Sequence, residues 1–174
     1  VQKIKDQVVE PTMQGLQQDG IPYVGFVFIG LIKVGDNPKV IEYNVRMGDP
    51  ETQVVLPRIQ NDLFELLQAT ASGTLDSVKL SIDKRSVSTI VAVSGGYPES
   101  YDKGKAICGI DPNDFVVHAG TAMVDEELVT SGGRVLSATG VGADHNQAIA
   151  QSYQALAKID FEGIYYRKDI GFDL

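Results

Sequence analysis

The sequence predicts an α+β fold in two parts. Residues 1–73 should combine antiparallel strands with helices, and residues 74–174 should form a small, mostly antiparallel β-rich part with a C-terminal helix. Three observations carry this reading. Apolar residues at helical spacing bracket two dense β-like runs in the first part. Beyond Gly73 the pattern changes to short β-like runs separated by Gly, Pro, Asp and Asn. Asp144 then opens a last amphipathic segment. The expected boundary lies near residues 72–77.

In order, Ile4, Val8, Met13 and Leu16 follow a helical period that Gly20 stops, with Pro11 expected to kink the helix or begin a new turn. Tyr23 to Val34 is a dense apolar run containing Gly25 and Gly30, read as a buried strand. Gly35-Asp36-Asn37-Pro38 is turn chemistry, and Lys39 to Arg46 should return as the second strand of a hairpin. Asp49-Pro50-Glu51 has the form of a helix start, with Asp49 as N-cap and Pro50 at the first helical position. Pro57 interrupts, and Ile59, Leu63, Leu66 and Leu67 form an amphipathic helix ending near Gly73. The β-like runs are 78–83, 86–94, 105–110, 114–119 and 128–139, a mostly antiparallel sheet or partial barrel. The last helix carries Ala148, Ile149, Tyr153, Leu156 and Ala157, and the tail returns through Tyr165-Tyr166.

Composition excludes several classes. Fifteen Lys+Arg against 23 Asp+Glu give a net charge of −8, which argues against general binding of nucleic acid or of an anionic membrane. A single cysteine, Cys108, excludes an internal disulfide and any multi-cysteine zinc site, and is expected as a reduced, buried thiol of a cytoplasmic protein. No apolar run approaches the roughly 20 residues of a membrane helix. No signal-peptide pattern opens the chain. It starts at Val1 in what reads as mid-helix, and is expected to be a piece of something longer.

The strongest chemical signal is Val40-Ile41-Glu42-Tyr43-Asn44-Val45-Arg46. Alternation along a strand puts Glu42, Asn44 and Arg46 on one face and Ile41, Tyr43 and Val45 on the other. A carboxylate and an amide oxygen suit Mg²⁺, and a guanidinium suits phosphoryl oxygens. A half-solvated strand with a polar face gives the same pattern. Gly48-Asp49-Pro50-Glu51-Thr52-Gln53 follows directly and is expected to bring two carboxylates and a helix N-terminus, a place for an anion. Capping by Asp49 and dipole complementation by Glu51 are the plainer roles.

The stretch Glu42-Tyr43-Asn44-Val45-Arg46-Met47-Gly48-Asp49-Pro50-Glu51-Thr52-Gln53 closely resembles the signature of the phosphoribosylamine–glycine ligases, also called glycinamide ribonucleotide synthetases. The resemblance continues through Tyr23-Val24-Gly25-Phe26, Ser94-Gly95-Gly96-Tyr97-Pro98, His118-Ala119-Gly120-Thr121, Thr130-Ser131-Gly132-Gly133-Arg134-Val135 and Tyr166-Arg167-Lys168-Asp169-Ile170-Gly171, in order along the chain. It implies an ATP-grasp enzyme of purine synthesis that joins glycine to 5-phosphoribosylamine through an acyl-phosphate, with ATP and Mg²⁺ (or Mn²⁺). It implies Glu42 and Asn44 as metal ligands, Arg46 as the residue that steadies the transferred phosphoryl group, and Asp49 at a substrate amino group. Nucleotide contact is expected of Leu31 beside Glu42 and Asn44, and substrate contact of Asp49, Glu51, Gly95, Gly96, Tyr97 and Arg167. The family's N-terminal α/β domain, glycine-rich loop and phosphate-binding lysine are not among these 174 residues, so the chain is expected to run from the second half of the grasp lobe to the family's usual end. The rest of the same ligase chain is then its natural partner.

Other motifs are plainer. Ser94–Pro98 could present N–H groups to a phosphate or be a simple turn. Ser131-Gly132-Gly133-Arg134 reads as a hairpin turn. Arg167 is expected in an ion pair with Asp169 unless it reaches a phosphate. His118 reads as a core or edge histidine and His145 as solvent-facing. Two other functional classes compete with the ligase. A noncatalytic binding module would keep the fold without the Glu42/Asn44/Arg46 set. A hydrolase using Ser94 or Cys108 with His118 or His145 lacks any nucleophile-elbow pattern.

Overall fold

The computed structural model describes all 174 residues and has the expected α+β composition, with antiparallel sheets of two, three and two strands. The chain forms two compact units, Val1–Glu51 with Asn61–Ser81, and Thr52–Gln60 with Ile82–Leu174. Residues 74–81 stay with the first unit because Asn61 grips them: its amide donates to Lys79 O at 3.1 Å and accepts from Ser81 N at 2.6 Å.

The first unit opens with a helix in three pieces, α1 (Gln2–Ile4), a π turn (Lys5–Val9) and α2 (Glu10–Gln18). Pro11 has no N–H and its ring crowds the carbonyl four residues back. The wide turn sits just before it, where Glu10 N–H bonds to Lys5 O, so the helix continues through the proline. Strands β1 (Phe28–Val34) and β2 (Asn37–Asn44) follow as an antiparallel ribbon. Gly35, at φ 57°, takes the left-handed position of the tight turn between them.

Two expectations change here. The strand begins at Phe28, not Tyr23, because the Tyr23 hydroxyl folds back to Phe26 O (2.8 Å) and Val45 O (3.0 Å). Nor is the ribbon buried: Ile41 is 65% and Tyr43 52% exposed, since two strands alone cannot cover both of their faces. After β2, residues 49–51 form a turn and α3 (Thr52–Val55) starts only at Thr52. Asp49 is therefore not the N-cap and Pro50 not the first helical residue. A four-residue helix also offers no developed dipole to an anion, which removes that part of the expected site. Helix α4 (Leu63–Ala71) is capped by Asp62, whose side chain accepts from Glu65 N at 3.1 Å, and ends before Gly73 at φ 67°.

In the second unit, β3 (Ser86–Val93), β7 (Arg134–Gly142) and β4 (Phe115–His118) form an antiparallel sheet in the order β3-β7-β4. A ribbon of β5 (Thr121–Val124) and β6 (Glu127–Thr130) accompanies it. The expected run 128–139 is split at Ser131–Gly133 between two sheets, so that turn is a crossover and not a hairpin. The expected runs 78–83 and 105–110 supply only isolated bridges, Ile59–Ile82, Ala106–Val129 and Cys108–Asp160. Thr52–Gln60 joins this unit through the Ile59–Ile82 bridge and the Arg58–Asp83 backbone bond of 2.7 Å.

Helix α5 (His145–Leu156) begins at Asp144, whose side chain accepts from Gln147 N at 2.9 Å, as the sequence predicts. It lies directly on the backbone of β7 because Gly140 and Gly142 present no side chain: a Cβ at Gly140 would meet Ser152 N at 2.6 Å and one at Gly142 would meet Ala148 N at 2.5 Å. Ser152, fully buried, meets the Ser88 hydroxyl at 2.7 Å across that contact. Ile90, Ala92, Val135, Leu136, Ala138, Leu156 and Phe161 make the core between sheet and helix. Cys108 is exposed, contrary to the expected buried thiol: its backbone pairs with Asp160, while the neighbouring Ile107 is the residue that turns into the core. His118 lies exposed on edge strand β4 and His145 exposed at the start of α5.

Gly140→Ala should lower stability by about 1–3 kcal/mol through overpacking, although alanine ordinarily suits a strand better than glycine; chemical denaturation checks this. Asp111 provides a pH test. Its carboxyl accepts from the Asn113 backbone and from Lys158, which hold it down at about 2 against an ordinary 3.8. A depressed folded pKa stabilises above the unfolded value, and that contribution is lost as pH falls from about 4 through about 2. Asp111→Asn should therefore be less stable than wild type at pH 6, and the gap should close in melts near pH 2.

Candidate functional site

Pairing in the ribbon decides which side chains meet. Phe28 lies opposite Asn44 and Gly30 opposite Glu42, and directly opposed residues share a face. The register then slips between Gly30 and Leu31, leaving Ile41 as the extra residue of a bulge. Glu42 lies across Gly30: a Cβ at position 30 would meet Glu42 Cγ at 2.9 Å and Oε1 at 3.6 Å. Glu42 and Asn44 thus stand side by side on one face, with the Phe28 ring next to them.

Glu51 approaches the Phe28 end of that group. A Cβ on buried Gly48 would strike the Glu51 carboxylate, whose Cδ is 3.0 Å away, and would lie 3.2 Å from Phe28 Cε2. The carboxylate and the ring therefore flank Gly48. Arg46 is placed differently from the expectation. The strand ends at Asn44, so alternation does not carry Arg46 onto the same face, and its exposed guanidinium donates to Met47 O at 3.3 Å. Leu31 follows Gly30 and so leaves the opposite face of the ribbon. It lines a cleft of about 410 Å³ with Val1, Lys3, Ile4 and Pro38. On that same side Tyr43 Oη and Thr12 Oγ1 lie 3.0 Å apart.

The pair Glu42 and Asn44 offers hard oxygen donors, with the room for Glu42 supplied by Gly30. No group of three or more His, Cys, Asp or Glu gathers in a metal-holding cluster. A thiolate or imidazole site of the zinc type is therefore not built. One carboxylate and one amide suit a cation that keeps much of its coordination for water and phosphate, as Mg²⁺ does. The residues present fit such an ion.

The second unit holds the other expected contacts. Ser94 N and Oγ bond to Gly133 O (2.8 Å) and Gly132 O (2.9 Å), docking loop 94–97 on loop 131–133. Tyr97 packs its ring on Gly133, where a Cβ would collide with it, and Gly95 abuts Gly163, whose O would be 2.9 Å from a Cβ. Gly96 has φ 96°, a conformation open mainly to glycine. The loop is held by these contacts to residues 132, 133 and 163. Arg167 forks onto Asp169 with bonds of 2.9 and 2.8 Å, as expected, and the guanidinium holds the Asp169 carboxyl below its ordinary range.

The sequence reading names Glu42, Asn44 and Glu51 but assigns no role to Gly30, Gly48 or Phe28. Glycine inside a strand pattern, a mark of close backbone approach, is the signal that points to Gly30. The glycine is needed only while Glu42 occupies the space above it, so Gly30→Leu should displace Glu42 and lower the melting temperature. Truncating Glu42 in the same chain should recover most of that loss in a thermal melt.

Comparison with known proteins gives the family. Residues 1–52 match the family model described as phosphoribosylglycinamide synthetase, ATP-grasp (A) domain, and residues 87–173 match phosphoribosylglycinamide synthetase, C domain. The phosphoribosylamine–glycine ligase of Chlorobaculum tepidum is 44% identical over 98% of this chain and 41% of its own length. The human trifunctional purine biosynthetic protein adenosine-3 is 42% identical over 98% of this chain and 17% of its own length. A crystal structure of phosphoribosylamine–glycine ligase from Thermotoga maritima superposes with a TM-score of 0.84 at 32% identity, covering 97% of this chain and 42% of that one. The chain thus spans about 41% of the single-function relatives it matches. With the C-domain model covering residues 87–173 and the ATP-grasp model covering the strand that carries Glu42 and Asn44, the chain belongs to the phosphoribosylglycinamide synthetase family.

Proposed function

We propose that these residues serve an ATP-dependent carbon–nitrogen ligase that joins glycine to 5-phosphoribosylamine through an acyl-phosphate, giving glycinamide ribonucleotide, ADP and phosphate. The observation that carries the reading is the oxygen pair of Glu42, set over Gly30, and Asn44, two residues on along the same strand face, within the segment matched to an ATP-grasp domain. Glu42 and Asn44 would hold the divalent ion, Mg²⁺ or Mn²⁺. Bound there, that ion supplies positive charge that offsets the repulsion between nucleotide phosphates and a substrate carboxylate. Arg46, exposed and two residues beyond the end of that strand, turns its guanidinium to the transferred phosphoryl oxygens. Asp49 receives a substrate amino group, and Glu51, positioned by Gly48, orders the turn between them or meets substrate itself.

Leu31 is assigned to the nucleotide base. Gly95, Gly96, Tyr97 and Arg167 are assigned to substrate, with Arg167 exchanging Asp169 for a phosphate when ligand arrives. The division into residues 1–73 and 74–174, the cytoplasmic setting and the partnership with the rest of a longer ligase chain belong to the same proposal. No helix is long and apolar enough to cross a membrane. A noncatalytic module would have no use for a glycine inside a strand beneath a carboxylate, and the Glu42–Gly30 contact weighs against it.

In the intact protein, Glu42→Gln and separately Asn44→Leu should each lower kcat by roughly 10²-fold, about 3 kcal/mol of transition-state stabilisation, with little change in melting temperature. Steady-state kinetics beside a thermal melt checks this; retained turnover with a lowered Tm would make Glu42 a structural residue only. The 174 residues alone should bind Mg·ADP feebly and have no ligase activity, since phosphoryl transfer needs an enclosed, positioned nucleotide and the chain spans 41% of its relatives. Titration calorimetry giving low-micromolar affinity would relocate the nucleotide site to these residues.

A further inference from the structure

We infer that Gly30 is a positioning residue for Glu42: the missing side chain at position 30 sets the direction in which the Glu42 carboxylate leaves β2. The inference rests on the metal-binding reading of Glu42 given above. Gly30 lies inside β1, and its backbone is not in the left-handed region that only glycine favours. A turn or a positive φ therefore does not explain it. What explains it is space. A Cβ at Gly30 would meet Glu42 Cγ at 2.9 Å, closer than real Cβ atoms come.

The identity of the contacted atom matters. Oε1, at the free end of Glu42, is 3.6 Å from that Cβ position and would tolerate it, as would the Glu42 backbone N at 3.7 Å. Cγ is one bond from Cβ, so it moves only by rotating χ1, which swings the whole carboxylate away from its place beside Asn44. The bulge reinforces the aim. The register slips between Gly30 and Leu31, so Glu42 is the residue at which pairing resumes, opposite the glycine. A strand glycine is otherwise a cost, since it loses more backbone freedom on folding than alanine does. A glycine without any role here predicts that Gly30→Ala is neutral or stabilising, a purely structural role predicts a loss of stability, and a positioning role predicts a binding defect with the fold intact.

The test is a double-mutant cycle in the intact protein, read by electron paramagnetic resonance of Mn²⁺ with ADP and by thermal melts. Wild type, Gly30→Ala, Glu42→Ala and the double variant are compared. The expected result is that Gly30→Ala weakens Mn²⁺ binding about 10-fold or more and leaves Tm within a few degrees. In the Glu42→Ala background, which has no Cγ, Gly30→Ala should change neither Mn²⁺ affinity nor Tm downward. If Glu42→Ala alone leaves Mn²⁺ affinity unchanged, the metal reading of Glu42 falls, and this inference with it. If Glu42→Ala weakens binding and Gly30→Ala does not, Glu42 is a ligand and Gly30 does not position it. If Gly30→Ala unfolds the protein equally with and without Glu42, its neighbour is something other than Glu42 and the inference is overturned.

Discussion

The close approach of Glu42 to the backbone of β1 is the constraint on which the candidate site depends. A strand normally separates its side chains from the neighbouring strand's backbone by the bulk of the residue opposite. Here the residue opposite is Gly30, and Glu42 occupies the space a Cβ would fill. Asn44, two residues on, then presents its amide on the same face, beside Phe28. Everything around this pair serves to fix β2: the Gly35 turn sets its register, the bulge at Ile41 restarts its pairing, and the Tyr23 hydroxyl holds Val45 O just beyond its end. An exposed Glu42 beside a half-buried Asn44, with no ion pair between them, stabilises the fold little. The pair's arrangement suits the cation proposed for it.

The second unit uses missing side chains on a larger scale, and there they serve packing. Gly140 and Gly142 let α5 sit on the backbone of β7, bringing Ala148 and Ser152 into full burial. Gly120 and Gly132 close on one another, and Gly133 receives the Tyr97 ring. The loop Ser94–Tyr97 is thereby fastened by the Ser94 N–H and hydroxyl, which donate to Gly133 O and Gly132 O, and by the Tyr97 ring on Gly133. A loop fastened in that way presents its glycines at the surface in one conformation, which lowers the entropic cost of meeting a ligand.

Much of this was legible in the sequence. The α+β class, the hairpin, the caps at Asp144 and at the end of α4, and the shared face of Glu42 and Asn44 all follow from local patterns that the tertiary structure does not overrule. The family was legible too, because its motifs run in order through both units. The misplaced elements have specific causes. Asp49-Pro50-Glu51 carries the residues of a helix start, yet Thr52 begins the helix because Glu51 folds back onto Gly48, a contact no local pattern announces. Tyr23–Val27 is apolar enough for a strand, but the Tyr23 hydroxyl takes the carbonyls of Phe26 and Val45, and the chain bends. Residues 128–139 read as one strand because Ser131-Gly132-Gly133 breaks it for only three residues, and the change of sheet is a long-range fact. The side taken by Arg46 depended on where β2 ends.

The central claim is that Glu42 and Asn44 hold a divalent cation through oxygen. The most direct test is a crystal structure of the intact protein with Mn²⁺ and ADP, with the metal located by its anomalous scattering. The account predicts a peak at about 2.0–2.3 Å from a Glu42 carboxylate oxygen and the Asn44 amide oxygen, with phosphate and water completing the shell. A peak coordinated elsewhere, with Glu42 and Asn44 bound only to water, would contradict it.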